Sequence, residues 1–142
     1  MNEQRWNALV PEFSVTDFGR SLAFYTNILG FSIQHQRTEP DFAYLDLEGA
    51  QIMLEQLSGN SWATGDMTPP LGRGVNFQIE ISDLQPILQR LKAVQHPLFS
   101  EPEDEWYETE DSLSGQREFL VVDPDGYLLR FCQFLGEKPL ES

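Results

Sequence analysis

Around residue 13 the chain alternates, with Phe13 and Val15 apolar and Glu12 and Ser14 polar, the two-residue period of a strand that buries one face. The period then changes. Phe18, Leu22, Tyr25 and Leu29 recur at helical spacing behind Asp17, a residue suited to cap the first turn, and Gly30 ends the run with a backbone free to go left-handed. The same switch returns at an offset of 66, with Asn76 aligned on Val10. Here Phe77, Ile79 and Ile81 alternate with Gln78 and Glu80, Asp83 stands as the cap, and Leu84, Leu88 and Leu91 form the apolar stripe. Pro86 falls in the first turn, where its missing N–H is not needed.

Three short strands are expected behind each helix. In the first half they lie near 31–36, 42–47 and 51–56, the last two joined at "EGA"; in the second near 97–99, 117–122 and 127–134, the last two joined by the turn "DPDG". Each half therefore reads strand, helix, three strands. A single βαβββ unit has one helix for one face of a four-stranded sheet, so the other face must be covered in another way. The expectation is an α+β fold of two tandem βαβββ modules, 1–57 and 75–142, whose mixed sheets cup a shared cavity. Residues 58–74, "SGNSWATGDMTPPLGRG", rich in Gly, Pro and Ser, form the linker.

At 142 residues and 40% hydrophobic content the chain suits one structural domain with a real core. No apolar run approaches the roughly 18 residues that span a bilayer, and "MNEQRWNALV" has no signal-peptide pattern, so a cytoplasmic protein is expected. The single cysteine, Cys132, excludes an internal disulfide and a cysteine-built zinc site, and its place in a strand marks it as core. A formal net charge of −14 opposes nucleic acid and anionic membranes and leaves room for a cationic ligand. Solubility alone is the competing explanation.

Three stretches, "VPEFSVTDFGRSLAFYTNILGF", "GAQIMLEQL" and "REFLVVDPDGYLLRF", resemble the vicinal-oxygen-chelate superfamily of glyoxalase I, extradiol dioxygenases, fosfomycin-resistance enzymes and bleomycin-resistance proteins. The resemblance covers nearly the whole chain. It implies four cavity-facing positions that carry His or Glu ligands in the metal-using members, and here they hold Val10, Met53, Asn76 and Arg130. A side chain without a donor, a thioether, an amide and a permanent cation do not make a divalent-metal site, so neither metal nor cofactor is expected. The resemblance to the bleomycin-resistance branch implies a homodimer that binds a glycopeptide drug in crevices between subunits. By that likeness Phe42, in "DFAYL", matches a ring that stacks on the drug, and His35 falls where an aromatic residue is common. The branch's Trp before "GREF" is missing from "SGQREF", a departure that weighs against bleomycin itself.

Arg130 among apolar residues is expected to face the cavity with Glu12, Asn76, Gln78 and Glu80, paired with a carboxylate such as Glu12, Glu55 or Glu80. The alternative is a salt bridge at a sheet rim. The stretch 97–116 carries seven acidic residues, no basic ones, and the rings Trp106 and Tyr107, a strip suited to a planar cation. A solvated loop with a locally packed Trp106 is the other reading, and Trp62 in the linker has the same two. His35 and His96 sit in no nucleophile motif, and "GRG" at Gly72 is no phosphate loop.

The expected ligand-binding set is His35, Phe42, Trp62, Asn76, Trp106 and Arg130, with no catalytic residues. The function it implies is sequestration of a cationic aromatic small molecule by a homodimer. A superfamily enzyme of lyase, isomerase or dioxygenase type acting on a small carbonyl or hydroxy compound is the alternative, and a degenerate member with an interaction role is a third.

Overall fold

A computed structural model describes residues 5–140. The first half runs β1 (Glu12–Val15), α1 (Phe18–Ala23) prolonged by a π-helical segment (Phe24–Ile28), β2 (Ser32–Arg37), β3 (Phe42–Leu47) and β4 (Ala50–Gln56). The second runs β5 (Asn76–Glu80), α2 (Gln85–Ala93), β6 (Ser100–Glu108), β7 (Ser112–Val122) and β8 (Leu128–Pro139). The sheets have the same plan: β1-β4-β3-β2 and β5-β8-β7-β6, with the first two strands of each order parallel and the other pairs antiparallel. Backbone contacts divide the chain into two compact units, the first ending at Leu71 and the second starting at Gly72. The fold is α+β, built of two βαβββ modules. Among the described residues no helix is long and apolar enough to cross a membrane.

Local chemistry sets the first helix. Asp17 caps α1 through a 3.1 Å bond from Arg20 N to Oδ1. The π-helical segment then widens the turn, with Leu29 N donating to Phe24 O at 3.1 Å, so the neighbouring rings of Phe24 and Tyr25 are both buried. The buried face is consequently Phe18, Ser21, Phe24, Tyr25 and Leu29, while Leu22, expected in the stripe, is half-buried. Tyr25 meets Phe13, Phe24 and Phe31 at ring separations of 6.3, 5.6 and 5.7 Å. Contacts of this kind contribute about 0.5–1.5 kcal/mol each beyond the area they bury.

Helix α2 departs from the expected cap. Its N-cap is Leu84; Asp83 Oδ1 instead accepts from Gln85 N at 3.0 Å, and Leu84 N is satisfied by Gln133 Oε1 on β8. Asp83 thus keeps a local bond, and a Gln on the third strand after the helix anchors its N-cap residue. The buried stripe is Leu84, Ile87 and Leu91 rather than one that includes Leu88.

Strands β6, β7 and β8 are longer than the hydrophobic pattern indicates. The strip around Trp106 is not a loop: it is the edge strand β6, paired with β7 from Ser100 opposite Leu120 to Glu108 opposite Leu113. Backbone pairing needs no apolar side chains at an edge, and charges there blunt pairing with other chains. The 97–99 region precedes that strand. At "DPDG", Asp123 Oδ1 accepts from the backbone N–H groups of Asp125, Gly126 and Tyr127, each at 2.9 Å, and Gly126 takes φ 108°. In the "EGA" turn Glu48 and Gly49 both have positive φ, 51° and 94°, the twist that a two-residue hairpin requires.

Alternation places the core residues on one face of each sheet. Phe13, Val15, Ala43, Leu45, Ile52 and Leu54 are buried on the face that meets the first helix, and Ile79, Phe119, Val121, Leu129 and Phe131 form the corresponding core of the second unit. The opposite, helix-free face of each sheet holds the polar and aromatic residues of the candidate site.

Candidate functional site

On the helix-free face of the first sheet, register aligns His35 with Tyr44, Arg37 with Phe42, Phe42 with Glu55, and Glu12 with Met53. The result is a row of rings. Trp6 stands edge-on to Tyr44 at 4.5 Å, His35 and Phe42 are 6.4 Å apart, and the Arg37 guanidinium lies 4.2 Å from the Phe42 ring centre. Cation–π contact of this kind is worth about 0.5–1 kcal/mol at an exposed site. Gln51 holds the row in place: its Oε1 accepts from Tyr44 Oη at 2.6 Å and from Asn7 N at 2.8 Å, and its Nε2 donates to Asp46 and to Arg5 O. Those two main-chain bonds fix the segment that carries Trp6.

Glu12 and Glu55 border the rings. Burial, and then the charge of Glu55, raise the Glu12 carboxyl above the usual glutamate range, while Arg37 opposes the rise. A cation arriving here would offset the rise by stabilising the ionised carboxylates.

The helix-free face of the second sheet carries Asn76, Gln78 and Glu80 on β5, Arg130 and Cys132 on β8, Gln116, Glu118 and Leu120 on β7, and Tyr107 on β6. Arg130 faces away from α2, as Leu129 and Phe131 face it. Its partner is not a carboxylate: Nη2 donates to Gln78 Oε1 at 2.6 Å, and Nε is buried with no acceptor among the described residues. The reason is register. Gln78 stands opposite Arg130, whereas Glu80 and Glu118 stand opposite Cys132, one step further along the strand. A buried donor left unpaired costs about 1–3 kcal/mol. Glu118 is occupied by Gln116 Nε2 at 3.0 Å and by Tyr107 Oη at 3.4 Å. Burial, followed by Glu118 and Glu105, raises the Tyr107 hydroxyl, and burial, followed by Glu80 and Glu118, pushes the Cys132 thiol up to about 11. Such a thiol is protonated at neutral pH and no nucleophile.

The structure brings His35 and Phe42 together on one sheet, and Asn76 and Arg130 onto the same face of the other. Trp62 stands apart in the segment between β4 and β5, 97% exposed. Trp106 lies on the opposite face of its sheet from Arg130: its ring covers Gly115, where a Cβ would come within 2.5 Å, and Lys138 Nζ lies 4.0 Å from the ring centre. Tyr107, one residue on, takes the Arg130 side. Tyr44 was legible from the alternation that points Phe42 the same way; Trp6 had no signal, since its neighbour is 38 residues away in sequence.

The positions that the superfamily resemblance assigns to metal ligands do not fit a divalent ion. Met53 has Glu12 beside it, Arg130 has Gln78, Asn76 begins β5 and Val10 has no donor. Among the described residues no three or more His, Cys, Asp or Glu side chains gather into a ligand group.

Comparison with known proteins agrees with this architecture. The family model of the Glyoxalase/Bleomycin resistance protein/Dioxygenase superfamily matches residues 9–131. Curated relatives named bleomycin resistance protein, from Geobacillus stearothermophilus and Staphylococcus aureus, are 28% identical over 134 residues, 87% of this chain and 94% of theirs. Two solved structures share the fold. TioX from Micromonospora sp. ML1 has a TM-score of 0.66 and 20% identity over 89% of this chain and 95% of its own. A glyoxalase/bleomycin resistance protein/dioxygenase from Alicyclobacillus acidocaldarius has a TM-score of 0.61 and 20% identity over 91% and 92%. The chain belongs to the Glyoxalase/Bleomycin resistance protein/Dioxygenase superfamily.

Proposed function

From that membership we propose that the protein is a cytoplasmic, homodimeric small-molecule binder of the bleomycin-resistance type, which sequesters a cationic aromatic compound without metal and without changing it. The observation that carries the reading is the ring row Trp6, Tyr44, His35 and Phe42 bordered by Glu12 and Glu55. Planar heterocycles stack on such rings, and the carboxylates meet a positive tail. The name of the 28%-identical relatives supports the same class. In this reading His35 and Phe42 are the stacking candidates of the first sheet, Asn76 and Arg130 are the polar candidates of the second, and Trp62 and Trp106 stand outside both sets. A binder of this kind needs no nucleophile, and the protonated Cys132 thiol supplies none.

Isothermal titration with bleomycin tests the reading. Saturable heat at tens of micromolar is expected, and Phe42→Ala should weaken binding about tenfold or more, as truncation of a buried aromatic anchor does. No heat from the parent protein at those concentrations overturns the drug assignment. A stoichiometric divalent ion on elemental analysis would instead favour an enzyme of the superfamily.

A further inference from the structure

We infer that Arg130, on the helix-free face of the second sheet, is an anchoring residue for a carbonyl-type oxygen of a ligand, from a carboxylate or a carboxamide. The inference rests on the ligand-binding reading above and deepens it. A guanidinium has five donors in a planar fork. Here one is committed, to Gln78 Oε1, while Nε is buried without an acceptor among the described residues. The surroundings keep it so. Along this step of the sheet Gln78, Arg130 and Leu120 stand side by side on β5, β8 and β7, so one neighbour is an amide and the other offers no acceptor. The carboxylates of Glu80 and Glu118 stand at the next step, opposite Cys132, and Glu118 is already held by Gln116 and Tyr107.

An amide orients the guanidinium without neutralising it. Had β5 carried Glu at position 78, the strand pairing would have placed a carboxylate on Arg130 and closed its fork. Gln78 leaves the charge and the Nε–H for an acceptor that the described residues do not supply. The group that satisfies both is a planar oxygen acceptor, and a charged one is bound more strongly.

The Nε–Hε resonance of Arg130, assigned by its absence in Arg130→Lys, reports on this site in the full-length protein. It is followed during titration with sodium acetate, acetamide, and sodium chloride at matched ionic strength. The expected result is a saturable shift with acetate or acetamide and none with chloride; the probe that saturates identifies the acceptor as carboxylate or carboxamide. No saturable shift with either overturns the inference. Gln78→Glu, which fills the fork internally, should abolish the response, and a response that persists there also overturns it. Bleomycin titration separates this claim from the broader one. A responsive Nε in a protein that ignores bleomycin leaves the anchor and removes the drug; equal bleomycin affinity in the parent and in Arg130→Lys, where about a tenfold loss is expected, removes the anchor and leaves the drug.

Discussion

Glu12 shows how a single side chain reports on the site. It lies diagonally across from Glu55 on the adjacent strand and is partly withdrawn from water, which together raise its carboxyl above the ordinary 4.5. A carboxyl raised in the fold binds more protons folded than unfolded between the two values, so stability falls as pH rises through that window. Glu12→Gln removes the penalty. Its thermal midpoint should exceed the parent's at about pH 7, and the two should converge at about pH 3, where the glutamate is protonated in both states. Equal midpoints at neutral pH would mean that Glu12 is not burdened as described. Phe42 and His35 were singled out by the likeness to the bleomycin-resistance branch; Trp6 had no such signal, because its contact with Tyr44 is set by the path of the chain before β1.

At the scale of elements, the turn between β7 and β8 is the most tightly specified piece of the molecule. The buried Asp123 carboxylate gathers three backbone N–H groups, and one of them, Gly126, needs a positive φ. Asp123→Ala should therefore cost about 1–3 kcal/mol for a buried donor left unpaired, read as a lower urea midpoint with unchanged slope. Asp123→Asn keeps one oxygen acceptor and should lose less. The "DPDG" turn was plain in the sequence since Pro and Gly each fix a dihedral. The extent of β6 was not: a run such as "EPEDEWYE" has no apolar period, and its strand exists because β7 offers a backbone ladder. The π-helical widening after Ala23 was equally hidden, as it exchanges one helical register for another without a marker residue.

For the whole molecule the net charge of −14 is the dominant long-range fact. It attracts a cationic ligand and repels an anionic one, and salt screens both beyond a Debye length of about 8 Å at physiological ionic strength. Association of a cationic aromatic ligand, measured by stopped flow, should slow as sodium chloride is raised, while a neutral analogue keeps its rate. A salt-independent rate for the cation would leave the charge with no role beyond solubility.

The amino-acid sequence by itself determined the tandem plan of strand, helix and three strands, the alternating first strand of each half, and the side of the sheet to which Arg130 points, because period and turn chemistry are local properties of the backbone. The tertiary structure decided what stands next to what. Register set Gln78, not Glu80, against Arg130; a glutamine on β8 reached the start of α2; and the N-terminal segment put Trp6 on Tyr44. Those pairings depend on residues far apart in the chain, and on a one-step choice along a ladder that alternation leaves open.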